Sequence, residues 1–376
     1  LEGWNRFHGR GLQLRLPDAD LQRCFGLSRT LLGMLAEKRG KETWLCVGPT
    51  RYHQFWFRDA AYLLQALHVM GYREEARAVL DRYPSLQQKD GLFTFFLSAD
   101  EKEWDINGQA LWSFSQHDRL YPDPAWRTKL FPVVRKAMGW LERNTRQGKA
   151  LLPPSWSAEH LGVEDNFYWD DFWALAGGRE AARMARQAGE RKAAAAWTRW
   201  HAAFGRTVDR SLATVTKKLG IPVIPASPDR QPDSCVIGTV GALWPCRALA
   251  TLDPNLQGSL DWLLKNAVRG GGFWHGSYWG TYGPYLTMQL AHALVLSDRV
   301  KEAVPLLEWI KKSATPLGTW PEGINVRTGK GGMGDMPHGW AAADLILLVR
   351  DMLLAENDEA IHVGRGVPAS WYQGGP

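Results

Sequence analysis

Along this 376-residue chain apolar residues recur at helical spacing nearly everywhere, and the strict alternation of a half-buried strand is scarce. The pattern predicts twelve helices, at 18–38, 58–71, 73–85, 105–119, 124–145, 167–177, 179–213, 235–250, 255–268, 284–297, 299–313 and 338–355. The seventh is expected to break near Gly189. Two kinds alternate. Residues 60–70 and 340–354 are apolar around most of the helix circumference, as buried helices are, whereas 190–204 carry charge along one face and belong outside.

The connections alternate as well. Short links are expected at Gly71-Tyr72, Tyr121-Pro122-Asp123, Gly177-Gly178 and Asp298. Between them come long links rich in Gly, Pro, Trp and acids, at 39–57, 86–104, 146–166, 214–234, 269–283 and 314–337. Long loops without regular structure are uncommon in compact domains and usually functional. Six helical hairpins with six long loops on one side describe an all-α fold, an (α/α)6 toroid with inner and outer layers, spanning residues 1–356. No sequence repeat accompanies it, so the periodicity is architectural. Residues 357–376 lose the helical pattern and read as a linker or the start of a following domain.

Composition narrows the function classes. The 45 basic and 39 acidic residues leave a net charge of +6 spread along the chain, with no basic stripe interleaved with base-stacking rings, so nucleic acid is not an expected partner. No apolar run is long enough to span a bilayer, and no membrane partner is expected. No secretory signal is visible, although the chain begins at Leu1 rather than Met. Cys24, Cys46, Cys235 and Cys246 show neither a CxxC motif nor metal spacing; free thiols in a reducing, cytoplasmic compartment are expected. His53, His117, His160, His275 and His338 are scattered, and neither a metal nor another cofactor is expected. The glycine-rich stretch 329–334 follows no predicted strand and reads as a flexible loop rather than a phosphate cradle.

Twenty tryptophans are a heavy load, and many recur in the long loops beside Gly and Asp. The densest stretch is 154–173, which packs Glu159, Glu164, Asp165, Asp170 and Asp171 among six aromatic residues with no Lys or Arg. A folding core has no use for so many carboxylates beside rings, because burying an unpaired charge is costly. A sugar site uses both: rings stack on pyranose faces, and carboxylates bind hydroxyls or move protons. Similar clusters open other predicted helices: Trp56, Arg58 and Asp59; Trp104, Asp105 and Gln109; Trp169; Trp279; Trp320 and Glu322; and His338. Capping and the helix dipole account for Asp59 and Asp105 singly about as well as function does. They do not account for the recurrence of rings with carboxylates.

The simplest chemistry for such clusters is glycosidic hydrolysis, with one carboxyl protonating the leaving oxygen and a second carboxylate activating water or attacking. Glu322, a lone acid in a Trp-Pro-Glu-Gly turn, is the candidate base. Asp165, followed by Asn166-Phe167-Tyr168, leads as the acid, with Glu159 close behind. Arg58-Asp59 reads equally as a clamp on sugar hydroxyls or as an internal ion pair.

The string Phe55-Trp56-Phe57-Arg58-Asp59-Ala60-Ala61-Tyr62, the run Trp104-Asp105 to Gly108-Gln109, and Trp320-Pro321-Glu322 followed by Gly334-Asp335 and His338-Gly339-Trp340 resemble the six-hairpin glycosidase group, which includes glucoamylases, trehalases and processing oligosaccharide glucosidases. The resemblance implies an (α/α)6 barrel, an oligosaccharide or glycoside substrate, exo-action on an α-linked glucoside, and inversion by an acid and a base on opposite walls, with Glu322 in the usual place of the base. Glu159-His160 departs from the paired glutamates of glucoamylases, while Asp165-Asn166 is closer to the processing-glucosidase pattern. An inverting phosphorylase, a noncatalytic carbohydrate-binding toroid and a terpene-cyclase-like toroid are the competing readings.

Overall fold

A computed structural model describes residues 2–94, 102–156, 164–276, 280–356 and 360–372. Among them are thirteen α-helices: α1 (Glu2–Arg10), α2 (Ala19–Leu35), α3 (Phe57–Val69), α4 (Arg73–Leu80), α5 (Asp105–Leu120), α6 (Pro124–Asn144), α7 (Tyr168–Gln187), α8 (Arg191–Leu219), α9 (Val240–Leu243), α10 (Pro254–Asn266), α11 (Pro284–Leu296), α12 (Val300–Ser313) and α13 (Gly339–Leu353). Strands are short: β1 (Ala36–Arg39) with β2 (Glu42–Leu45), a five-stranded antiparallel sheet of β3 (Val268–Arg269), β4 (Gly272–His275), β5 (Thr281–Tyr282), β6 (Gly323–Asn325) and β7 (Gly331–Met333), and β8 (Leu354–Glu356) with β9 (Ile361–Val363). The chain forms two compact units, one from Leu1–Ala76 with Leu264–Pro376 and one from Arg77–Leu263.

In the first unit α13 packs against α2, α3 and α11, and α11 also packs on α12. The sequence explains the layering. Nearly every residue of α3, α11 and α13 is buried, whereas α12 buries only Ala303, Leu306, Leu307 and Ile310 along one face. The start of α13 is pinned from two sides, by His338 N–H donating to the Trp320 carbonyl (2.8 Å) and Gly339 N–H to that of Val47 (2.7 Å). After α13 the chain doubles back as β8–β9, and Gly364 and Gly366 donate to the carbonyls of Leu353 and Met352.

The second unit is built around α7, which packs against α5, α6 and α8. Here the helix reading needs correction. Gly177-Gly178 is not a link, because α7 runs on to Gln187 and the chain breaks only at Gly189, whose φ is +76°. The two glycines serve contact instead. A Cβ on Gly177 would press on Gly108 of α5, and one on Gly178 on the Trp200 ring of α8. The helix expected at 235–250 is a 3-10 turn, Ser234–Thr239, and the single-turn α9, closed by a cis Trp244-Pro245 bond. Helix α1 and the sheets escaped the periodicity argument because their runs are two to nine residues long. Residues 331–333, read as a flexible loop, form β7.

Asn107 braces this unit: its side chain accepts from Phe93 N–H (2.9 Å) and donates to the carbonyls of Gly91 and Ala137 (both 3.2 Å). Deeper along α5 and α7, Arg127 and Arg183 pair with buried Asp118, and Arg119, Arg179 and Arg183 with buried Glu180. No described helix is long and apolar enough to cross a membrane. All four cysteines are buried, and none forms a disulfide.

The α5–α7 crossing gives a direct test. A Cβ on Gly108 would collide with the backbone carbonyl of Trp173, which no rotamer change relieves, so Gly108→Ala should lower stability by about 1–3 kcal/mol in urea titrations. Gly205→Ala, in α8 with only Leu175 Cδ2 at 3.9 Å, should instead stabilise by about 0.5–1 kcal/mol through helix propensity.

Candidate active site

The candidate residues gather at the N-termini of α3, α5, α7 and α13. None of these helices is capped by a side chain: Trp56, Trp104, Phe167 and His338 occupy the cap positions and make no cap bond. Elsewhere in the chain, Asp18 and Asp123 cap α2 and α6 conventionally. The acids of the candidate helices sit inside the first turn, as Asp59, Asp105, Asp170 and Asp171, where the helix dipole favours negative charge.

In the first unit the organising group is Asp335. Its buried carboxylate accepts the backbone N–H groups of Thr50 (3.2 Å), Arg51 (3.0 Å) and Tyr52 (2.6 Å), and the Thr50 hydroxyl as well. Its own carbonyl accepts from Glu322 N–H (3.1 Å). Burial alone would raise the Asp335 carboxyl; the Thr50 hydroxyl and the three N–H donors outweigh it and hold the group below the usual carboxylate range. One residue thus ties the 48–52 loop to the turn bearing Glu322, and the Tyr52 hydroxyl meets the Glu322 carboxylate. Burial, and then the Glu322 and Asp59 charges, push the Tyr52 phenol well above its ordinary value, so it stays a hydrogen-bond donor.

Around this pair stand Asp59 and Arg58, both nearly buried on α3, and His338, whose Nε2 lies 3.9 Å from Asp59 Oδ1. Burial depresses the His338 imidazole to about 3, so it is neutral, and its ring leans on Tyr285 at 5.4 Å. Trp56 is half-buried and meets Tyr52 edge-on at 5.4 Å. Trp320, expected to face a ligand, lies elsewhere. It is 1% exposed, with its indole N–H bonded to the Ile310 carbonyl (2.9 Å) and its own carbonyl accepting His338 N–H.

In the second unit Asp105 is the hub. Its Oδ2 accepts from Gln109 Nε2 (2.7 Å) and the Trp169 indole N–H (2.8 Å), and all three residues are buried. Asp170 accepts from the Ser155 hydroxyl, and Asp171 from Leu152 N–H (3.0 Å). Burial, then the Asp105 charge, push the Asp170 carboxyl far up; burial alone carries Asp171 to about 8. At that value Asp171 holds its proton at neutral pH. Asp165 is half-buried and serves its own loop: its backbone bridges Ser155, while its carboxylate accepts from Asn166 N–H (2.8 Å) and the Ser227 hydroxyl. Trp104 is half-buried, bonds the Pro154 carbonyl (3.0 Å) and packs on Trp140. Glu164 is neutralised from outside its own segment, by Lys102 at 2.8 Å. Glu159 and Trp279 lie outside the described residues.

The structure therefore brings Glu322, Tyr52, Asp59 and His338 together in one unit, with Arg58 buried next to Asp59 in the chain, and Asp105, Gln109 and Trp169 in the other. Three participants were not singled out from sequence: Tyr52, Asp335 and Ser155. Asp335 lies in the Gly334-Asp335 pair and Ser155 in the 154–173 stretch, and the signal for Tyr52 and Asp335 was the company of Gly48 and Gly334. A Cβ on Gly48 would strike the Asp335 carboxylate, and one on Gly334, at φ +66°, would strike that of Glu322.

No known protein family matches the sequence, and no curated protein does. Solved structures do match. A glycosidase variant in complex with glucose superposes at a TM-score of 0.70 with 15% identity, covering 90% of this chain and 99% of that one. A bacterial glucoamylase complexed with acarbose gives 0.69 with 13% identity, covering 93% of this chain and 57% of that one. A rhamnosidase from Klebsiella oxytoca with rhamnose bound gives 0.67 with 14% identity, covering 90% and 65%. At such identities the likeness shows the fold, all-α of the (α/α)6 class expected above.

Two outcomes test the electrostatics and packing. Folded Asp171 keeps its proton to about pH 8, while the unfolded chain releases it near 3.8, so unfolding releases a proton throughout that window. Stability should fall as pH rises from about 4 to 8, by up to ~1.4 kcal/mol per pH unit from this group, and Asp171→Asn should flatten that slope in pH-resolved denaturation. Gly334→Ala should cost more than about 1 kcal/mol and displace the Glu322 carboxylate in a crystal structure.

Proposed function

We propose that the protein is a glycoside hydrolase, exo-acting and inverting, that cleaves an α-linked glucoside or related oligosaccharide. The observation that carries the reading is the Tyr52–Glu322 pair: a carboxylate set in a tight turn, approached by a phenol that stays protonated. In the proposed reaction Glu322 takes a proton from water as its oxygen bonds to the anomeric carbon, while a carboxylic acid protonates the departing glycosidic oxygen. Arg58, Asp59 and His338 supply charged and neutral hydrogen-bonding groups for sugar hydroxyls, and Trp56 and Trp104 supply half-buried ring surface. The structural neighbours in complex with glucose, acarbose and rhamnose support a carbohydrate ligand for this fold.

The proton donor is assigned to segment 154–173. Both Asp165 oxygens already accept hydrogen bonds, from Asn166 N–H and the Ser227 hydroxyl, so of the two candidate donors we favour Glu159. The test is a panel of α-linked oligosaccharides with NMR of the released anomer. Glu322→Gln should lower kcat by about 10²–10⁴-fold. Glu159→Gln should fall similarly on natural substrates and recover on glycosyl fluorides, whose leaving group needs no proton, whereas Asp165→Asn should not show that recovery. Release of the retained anomer would overturn inversion, and full activity of Glu322→Gln would remove it as base.

A further inference from the structure

Away from these carboxylates, the β1–β2 hairpin carries a donor set that the mechanism does not use. Glu37 lies on β1, Cys46 follows β2, and His53 lies on the return of the next turn. Their carboxylate, thiol and imidazole donor atoms all lie within 4.8 Å of one another. The backbone holds all three in place. Cys46 N–H bonds the Leu35 carbonyl (3.0 Å), and Val47 and Gly48 N–H bond those of Gln54 (3.2 Å) and Tyr52 (3.1 Å), so His53 is presented from a hydrogen-bonded ladder. A cation already sits at the point of convergence. Arg39 Nη2 lies 3.1 Å from Glu37 Oε2, 3.2 Å from Cys46 Sγ and 3.3 Å from His53 Nε2. The His53 imidazole also bonds the other Glu37 oxygen.

We infer that Glu37, Cys46 and His53 form a binding site for a thiophilic divalent cation of the Zn²⁺ class, with Arg39 holding the set together when no metal is bound. Thiolate, imidazole and carboxylate are the ligands such ions take, and three protein ligands plus water complete a tetrahedron. On binding, the Cys46 thiol gives its proton to solvent, and the Arg39 guanidinium, whose Cζ already lies 4.7 Å from the Trp44 ring centroid, withdraws its Nη2 from the three donors. Sequence spacing hides the set, because hairpin and turn bring together residues far from any metal-binding motif. Occupancy would stiffen the strip that presents Tyr52 to Glu322, so the site is placed to modulate that pair. The inference does not depend on the glycosidase reading.

Titration of the purified chain with Co²⁺ as a spectroscopic probe, and with Zn²⁺ in competition, tests it. The wild type should develop thiolate-to-cobalt charge-transfer absorption that saturates at one ion per chain and is lost on adding Zn²⁺. Cys46→Ser should abolish the band, and Cys46→Ser and His53→Ala should each weaken Zn²⁺ binding by more than about 100-fold, beyond what changes around a ligand shell usually cost. Arg39→Ala should tighten binding, because it removes the competing cation. A band that survives Cys46→Ser, Zn²⁺ affinity unchanged by Cys46→Ser and His53→Ala, or weaker binding in Arg39→Ala would overturn the assignment. Circular dichroism of each variant separates loss of binding from loss of fold.

Discussion

The Asp335 carboxylate is the constraint on which the candidate site of the first unit depends. A buried carboxylate is tolerable only when donors satisfy it, and here three consecutive N–H groups and a hydroxyl do so. That satisfaction dictates the path of residues 50–52, and through it the place of the Tyr52 phenol. Because the same residue's carbonyl receives Glu322 N–H, phenol and carboxylate are registered against one anchor. Gly48 and Gly334 follow from this arrangement, since a methyl group at either position would occupy the space of a carboxylate.

The second unit meets its constraint by close approach of backbones. Gly108 and Gly177 let α5 and α7 pack without side chains between them, and this proximity lets the Trp169 indole reach Asp105 across the pair. Asp105 accepts from Gln109 and Trp169, and burial, followed by the nearby Asp105 carboxylate, raises the Asp170 carboxyl well above its usual range. Helices α3, α5 and α7, left without side-chain caps, carry Asp59, Asp105, Asp170 and Asp171 in their first turns instead.

Much of this was legible in the residue pattern. Helical periodicity located most helices to within a few residues, and the association of acids with rings picked out Asp59, Asp105, Glu322 and the 154–173 segment. What periodicity cannot see is a contact made by an absent side chain. Gly177-Gly178 reads as a break in a one-dimensional pattern, yet in the fold it is the packing surface of an unbroken helix. Trp320 shows the converse: beside a candidate catalytic acid it reads as a ligand platform, but its indole N–H finds the Ile310 carbonyl and the ring is core. The short strands were likewise beyond reach, because two to four residues carry no period.

By itself, then, the sequence determined the all-α (α/α)6 class and the alternation of buried and amphipathic helices, and it supplied the carboxylates from which the proposed site is drawn. These depend on composition and spacing, which are local properties. Only the tertiary structure decided which carboxylates stay charged, which hold protons and which merely brace a loop. Those outcomes depend on burial and on donors that come from positions remote in the chain, as Asp335 and Thr50 show. The same physics makes Glu37, Cys46 and His53 a convergent donor set, although nothing in their spacing announces it.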